Sequence, residues 1–343
     1  MTVEITPADA RLAGAHRFIA AHALSYGLDA ASCAPASADA SFRRYFRVQG
    51  TTQPYILMDA PPSHEDCKPF IHVSQLLSRT GIQAPQVLEQ DIENGYLLLT
   101  DLGSTTYLAA LQAGADHRAL YADAIDALVK LQTGTPHDAL PPYDHAKLMS
   151  EMGLFETWFL NKHHGIVLSE REQGLLQVAL NLIATACAKQ AAVWVHRDYH
   201  CRNLMVTTAH NPGVLDFQDA VMGSYTYDLV SLLRDAYIDW PEEAQIELAI
   251  AYWKQAQAAG VAVPADFGEL WRDYEWMGLQ RHLKVLGIFA RLNHRDGKDG
   301  YLKDLPLVMK YAQLVAQRYD GLGILVRLFD RILGVERNVG VTF

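Results

Sequence analysis

His196-Arg197-Asp198-Tyr199-His200-Cys201-Arg202-Asn203 is the stretch from which the rest of this chain is read. The apolar run Ala192-Val193-Trp194-Val195 precedes it and predicts a short buried strand leading into a polar loop. Leu204-Met205-Val206 and Val214-Leu215 predict two further strands, and the Asn, Pro and Gly between Thr207 and Gly213 predict the turn that joins them. An antiparallel hairpin brings its outer ends together. Asn203, just before the first strand, and Asp216, at the end of the second, are therefore expected to meet beside Asp198. A carboxylate and an amide oxygen are a donor set for a hard cation such as Mg2+, which leaves its other positions to phosphate and water. Phosphoryl transfer from ATP to a hydroxyl needs such groups and little covalent help. Asp198 would accept or orient the hydroxyl proton, and Asn203 and Asp216 would hold Mg2+ on the nucleotide phosphates.

The chain contains its own control. His294-Arg295-Asp296 repeats the first three residues, but Tyr301 stands where the Asn would be. No strand-turn-strand ending in Asp follows, so this copy predicts a charged helix end or loop.

A length of 343 residues exceeds one small core and predicts two lobes. The formal net charge of −10 excludes broad nucleic-acid binding, which demands a basic face. No stretch has the apolar length of a membrane span. Met1-Thr2-Val3-Glu4-Ile5 lacks the basic-then-apolar pattern of a secretory signal. Cys33, Cys67, Cys187 and Cys201 are scattered, which predicts free thiols in a reducing cytoplasm. Cys201 is read as a small filler. No obligate protein partner is predicted.

Strand signals concentrate in the first hundred residues: Tyr45-Phe46-Arg47-Val48, Tyr55-Ile56-Leu57-Met58 and Tyr96-Leu97-Leu98-Leu99-Thr100. Residues 70–77 have helical spacing, and Asp101-Leu102-Gly103 reads as a hinge. Beyond it the pattern is mainly helical. Apolar stripes at Leu120, Ala124, Ile125, Leu128 and Leu131, at Leu175, Val178, Leu182 and Ile183, and at Leu322, Leu325, Val326, Phe329, Ile332 and Leu333 are expected to be core. The fold class is α+β, with a small strand-rich N-lobe over residues 1–102 and a larger helical C-lobe over 103–343.

Around the loop, His196 and Arg197 are expected to brace the backbone. Asp228 opens a helix and would brace it by accepting hydrogen bonds. Arg202 could meet phosphate or substrate, or pair with Asp219 or Asp228. In the first lobe, Ser41, Arg43 and Arg44 stand where a phosphate-covering loop would lie, without its glycines.

Together these residues resemble the aminoglycoside phosphotransferase family, the small-molecule branch of the protein-kinase-like fold. The resemblance implies a bilobal fold with a nucleotide between the lobes, its adenine against the hinge at Thr100, Asp101 and Leu102, and an acceptor over Asp198. The stretches 196–206, 214–220, 227–237, 278–287 and 294–298 are similar to bacterial kinases of cell-wall amino sugars. Such enzymes phosphorylate the anomeric hydroxyl of N-acetylmuramate and N-acetylglucosamine in peptidoglycan recycling. On this resemblance Gln218 and Asp219 would accept hydrogen bonds from sugar hydroxyls. Arg202, Arg281, His282 or Lys284 would meet a lactyl carboxylate, arginine being best suited to that group. One departure is plain: Met58 stands about where kinases carry a lysine, and Lys68 lies too far along. Two alternatives stay open, a kinase of another small alcohol (an aminoglycoside, a choline-like compound or another sugar) and a nucleotide-binding pseudokinase.

Overall fold

Helix α1 (Pro7–Tyr26) leads into strands β1 (Asp29–Ala38), β2 (Arg44–Gln49) and β3 (Pro54–Asp59). Helix α2 (Cys67–Leu77) separates these from β4 (Val87–Asp91) and β5 (Tyr96–Thr100). Helices α3 (Tyr107–Gln112), α4 (His117–Thr133) and α5 (His145–Leu154) follow, the last running on as a π-helix over Phe155–His163. Helix α6 (Glu170–Ala188) then precedes four short strands, β6 (Ala192–Val195), β7 (Leu204–Met205), β8 (Gly213–Val214) and β9 (Val221–Ser224). Helices α7 (Tyr227–Leu233), α8 (Glu242–Ala258), α9 (Phe267–Asp296), α10 (Leu305–Arg318) and α11 (Gly323–Leu333) complete the α+β fold. The structure, a computed structural model, describes residues 7–38, 42–134 and 139–335.

The chain packs into two units that no single cut would separate. One is Met1–Gly134 with Arg202–Asp219, the other Thr135–Cys201 with Ala220–Phe343.

In the first unit, five strands form an antiparallel sheet in the order β1-β2-β3-β5-β4. The period of two sorts their side chains. Phe46, Val48, Tyr55, Leu57, Tyr96 and Leu98 share a core with Ala15, Phe18 and Ile19 of α1. Tyr45, Arg47, Ile56, Met58, Leu97 and Leu99 alternate with them and take the other face. There Arg47 donates to both oxygens of Asp101, at 2.5 and 3.0 Å, and to the Gly103 carbonyl at 2.8 Å, tying β2 to the segment after β5. At the β4–β5 turn Gly95 has φ 74°, and a Cβ there would lie 1.9 Å from the Ala60 carbonyl oxygen, so only glycine fits. Helix α2 starts where Asp66 accepts from the Lys68 N–H at 2.9 Å. Helix α4 buries Ala124, Ile125, Leu128 and Leu131, with Leu120 at the edge of that face.

The hairpin of β7 and β8 belongs to this unit, with Leu204 opposite Val214 and Met205 opposite Gly213. Its backbone is held from outside: Val214 N–H donates to the Gln83 carbonyl at 2.7 Å and Val206 N–H to Thr105 at 2.8 Å. In its turn, Asn211 donates to Tyr107 Oη at 2.8 Å and Asp123 at 2.7 Å. Phe217 packs on Phe70 of α2, with ring centroids 4.7 Å apart.

In the second unit β6 and β9 pair antiparallel, and α9 runs through the helices, packing against α5, the π-helix, α6, α7 and α10. Its last turn carries His294, Arg295 and Asp296, and Gly297 ends it in the left-handed conformation. The second His-Arg-Asp is thus a helix end.

One expected core stripe is corrected here. On α6, Leu175, Val178 and Leu182 are 40, 65 and 39% exposed, while Leu176, Ala179, Leu180, Ile183, Ala184 and Cys187 are buried. Apolar residues stand side by side at 175–176, 178–180 and 182–183, so spacing defines two faces one residue apart and does not choose between them. On α11 the stripe is partly right: Leu322, Leu325 and Phe329 are buried, but Leu333 is 45% exposed. No helix among the described residues is long and apolar enough to cross a membrane.

Candidate active site

Strand β6 delivers the chain into the loop at His196, which is fully buried. Arg197 then adopts φ 79°, a left-handed conformation costly for a residue with a side chain and found where surroundings enforce it. Helix α7 supplies that enforcement. Asp228 accepts from the backbone N–H of His196 at 2.6 Å and of Arg197 at 2.9 Å. Ser231 Oγ donates to the Arg197 carbonyl at 3.1 Å. Just past the helix, Asp235 accepts from Cys201 Sγ at 3.0 Å and from the N–H groups of Tyr237 and Ile238 at 2.8 and 2.9 Å. Cys201 is therefore a buried tether of the loop as well as a filler. Asp228 is fully buried, which pushes its carboxyl up to about 6 although His196 and the two N–H donors pull the other way.

Asp198 follows, its side chain 46% exposed. Desolvation on its inner side acts to raise its pKa, but Lys284, His200, Arg281 and Arg197 together outweigh it and hold the carboxyl below its ordinary value. Asp198 is thus ionised at neutral pH and is a weak base, suited to orienting a hydroxyl and taking its proton as the bond to phosphorus forms.

Beneath this loop lies a buried ionic network that sequence spacing did not reveal. Glu151 of α5 accepts from Arg197 Nη2 at 2.5 Å, from Lys284 Nζ at 3.0 Å and from Tyr143 Oη. Lys284 also donates to Tyr227 Oη at 2.9 Å. Burial acts to raise the Glu151 carboxyl, and the charges of Lys284 and Arg197 bring it below its usual value. Arg281, one turn before Lys284 on α9, brings Nη2 to 3.9 Å from Asp198 Oδ1. His282 turns elsewhere: it is buried, its Nε2 lies 3.1 Å from the Arg234 carbonyl, and burial pushes it down to about 3. A neutral core imidazole cannot serve as the cation expected of it.

In the first unit, the ends of the hairpin meet as expected. Asn203 Nδ2 lies 3.4 Å from Asp216 Oδ2, and Leu215 N–H donates to the Asn203 carbonyl at 2.9 Å. Asp216 has φ 62°, a second side-chain-bearing residue in the left-handed region. Gln218 Nε2 donates to Asp216 Oδ1 at 2.9 Å, and its buried Oε1 has no hydrogen-bond partner among the described residues. An amide and a carboxylate at hydrogen-bond distance fit a Mg2+ that draws most of its ligands from phosphate and water. Among the described residues no group of three or more His, Cys, Asp or Glu forms a closed metal cage. Arg202 and Asp219 are exposed.

Of the residues expected to meet the nucleotide, Ser41 lies outside the described residues. Arg43 Nε donates to Glu65 at 3.2 Å. Arg44 is carried by the strand period to the α1 face, where it and Arg11 both grip the fully buried Asp59. It therefore does not share the face of Met58, and Arg47 does. Thr100 Oγ1 accepts from Gln86 N–H at 2.9 Å. Leu102 packs on the hairpin so closely that a Cβ at Gly213 would lie 2.9 Å from it.

An ionised aspartate in one unit, and an amide with a carboxylate in the other, are groups of the kind that phosphoryl transfer uses. Residues 32–270 match the phosphotransferase enzyme family, and the chain belongs to that family. An N-acetylmuramate/N-acetylglucosamine kinase of Pseudomonas aeruginosa is 47% identical over 285 residues, 83% of each chain. The enzyme of that name from Neisseria meningitidis is 44% identical over 313 residues, 90% of this chain and 93% of the relative. Among solved structures, an ADP-bound aminoglycoside phosphotransferase has TM-score 0.58 at 15% identity, covering 87% of this chain and 98% of that one. A choline/ethanolamine kinase family protein from Mesorhizobium loti has TM-score 0.61 at 13% identity, covering 94% and 99%. At such identities the structures establish the shared protein-kinase-like fold.

Proposed function

We propose that the protein is an ATP-dependent kinase of the anomeric hydroxyl of N-acetylmuramate and N-acetylglucosamine, acting in the cytoplasm during peptidoglycan recycling. The observation that carries this reading is the 44–47% identity, over most of the chain, to relatives that bear those two sugars in their names. The chemistry agrees. An anomeric hydroxyl is more acidic than other sugar hydroxyls, so a weak, well-held base such as Asp198 suffices. Asn203 and Asp216 would hold Mg2+, which supplies charge neutralisation on the phosphates being parted. The backbone clamp of Asp228, Ser231 and Asp235 holds Asp198 in line, and alignment of this kind is most of what phosphoryl transfer requires.

Residues 1–102 would cover the nucleotide, with Ser41 and Arg43 toward its phosphates and Thr100 and Leu102 at its adenine. Arg44, committed to Asp59, would shape the sheet. Residues 103–343 would carry the catalytic loop and metal donors, with Arg202, Gln218, Asp219 and Arg281 toward the acceptor.

Phosphorus NMR of the protein with Mg2+, ATP and, separately, N-acetylmuramate, N-acetylglucosamine, glucose and kanamycin tests this. A sugar 1-phosphate signal from the two N-acetylated sugars, lost in Asp198→Ala, is the expected result. Phosphorylated kanamycin alone, or phosphate elsewhere on the sugar, would overturn the acceptor. Turnover that survives Asp198→Ala would overturn the mechanism.

A further inference from the structure

Three basic side chains that can be permanently charged flank Asp198: Lys284, Arg281 and Arg197. Two are committed. Arg197 lies against Glu151 at 2.5 Å and over the Tyr143 ring, and Lys284 is fixed between Glu151 and Tyr227 Oη. The acids nearby are committed as well, Glu151 to these cations, Asp228 to two backbone N–H groups, and Asp235 to Cys201 and two more. Arg281 differs. It is 5% exposed, its nearest acid is Asp198 at 3.9 Å, beyond hydrogen-bond length, and its buried Nε has no partner among the described residues. A buried guanidinium without hydrogen bonds is costly unless a ligand completes it. It is also rigidly placed, because Lys284 anchors the same face of α9 one turn on.

We propose that Arg281 sets the preference of this site between its two acceptors by taking the carboxylate of an anionic sugar. The inference rests on the amino-sugar reading above. N-acetylmuramate carries a lactyl carboxylate two ring positions from its anomeric carbon, and N-acetylglucosamine has none. A sugar with its anomeric hydroxyl on Asp198 would turn that carboxylate toward Arg281, whose planar fork matches it. The guanidinium thereby gains hydrogen bonds with N-acetylmuramate, and with N-acetylglucosamine it keeps only the Asp198 carboxylate at 3.9 Å.

The test is the ratio of kcat/KM for N-acetylmuramate to that for N-acetylglucosamine. Arg281→Gln lowers this ratio by about 10- to 100-fold, the range for a hydrogen-bonded charge pair. Arg281→Lys, which keeps the charge and loses the fork, falls between. An unchanged ratio, with both sugars losing equally, overturns the inference and makes Arg281 a partner of Asp198 only. The wild-type protein gives a second measurement that needs no variant to fold. Turnover of the methyl ester of N-acetylmuramate drops by a similar factor relative to the free acid, and equal turnover overturns the inference. No turnover of either sugar overturns the substrate reading itself, and this inference with it.

Discussion

At Asp198 desolvation and charge oppose one another, and the surrounding cations win. The residue is ionised across the neutral range; on the proposed mechanism its removal costs proton acceptance and leaves the pair of Asn203 and Asp216 in place. Asp198→Asn is expected to lower kcat by about 100- to 10,000-fold while affinity for a nonhydrolysable ATP analogue, measured by calorimetry, changes little. Asp228 behaves in the opposite sense. Its carboxyl stands at about 6 in the folded protein, above its unfolded value, so its favourable contribution to stability is fully present at low pH and is lost as pH rises through 6. The difference in melting temperature between wild type and Asp228→Asn should therefore shift in favour of wild type as pH falls from 7 to 4. The shift corresponds to roughly 2 kcal/mol, and thermal melts across that window would measure it. The meeting of Asn203 with Asp216 was legible because the strand-turn-strand between them fixes their spacing. Glu151 was not, because it stands 46 residues before Arg197 in sequence and only packing brings the two together. Arg44 misled because the face it takes depends on register with β3, which an unbroken run of basic and aromatic residues does not reveal.

Among the elements, α5 contributes a single acid that holds two cations from other elements. Glu151→Ala leaves Arg197 and Lys284 buried without their counter-charge, and a loss of about 3–5 kcal/mol is expected in denaturant unfolding. Glu151→Ala combined with Lys284→Met should lose less than the sum of the two single changes, since each alone strands a charge. Helix α6 offers a cleaner contrast. Val178→Lys falls on the exposed face and should alter stability by less than about 0.5 kcal/mol, whereas Leu180→Ala on the buried face should cost about 2–5 kcal/mol. The helix itself was readable from its periodicity; the structure adds that Ser169 and Glu172 form a capping box at its start. Which of its two apolar faces is buried depends on helices far along the chain, and local spacing carries no such information.

Across the whole molecule, the strand-rich beginning and helical remainder were legible from apolar periodicity, because strands and helices leave different periods. The partition of packing was not. Asp198 falls in one unit and Asn203 and Asp216 in the other, with the boundary passing between Cys201 and Arg202. Mg2+ with ATP should raise the melting temperature in scanning fluorimetry, by the equivalent of about 3 kcal/mol at a hundredfold excess over Kd. Asp216→Asn should abolish the Mg2+-dependent part of that rise and leave the melting temperature of the protein alone within a few degrees of wild type.

The hairpin that packs with the sheet is written into the gene some seventy residues after the helices it packs with have ended. A single recombination crossover between two such enzymes, anywhere between α4 and β7, would give the offspring one parent's sheet and the other parent's hairpin. The contacts of Gln83, Leu102 and Tyr107 with residues 211–214 would then have to work between strangers. Viable chimaeras should accordingly need three junctions, near residues 134, 201 and 219, and Asn203 and Asp216 should be inherited with the sheet and not with Asp198.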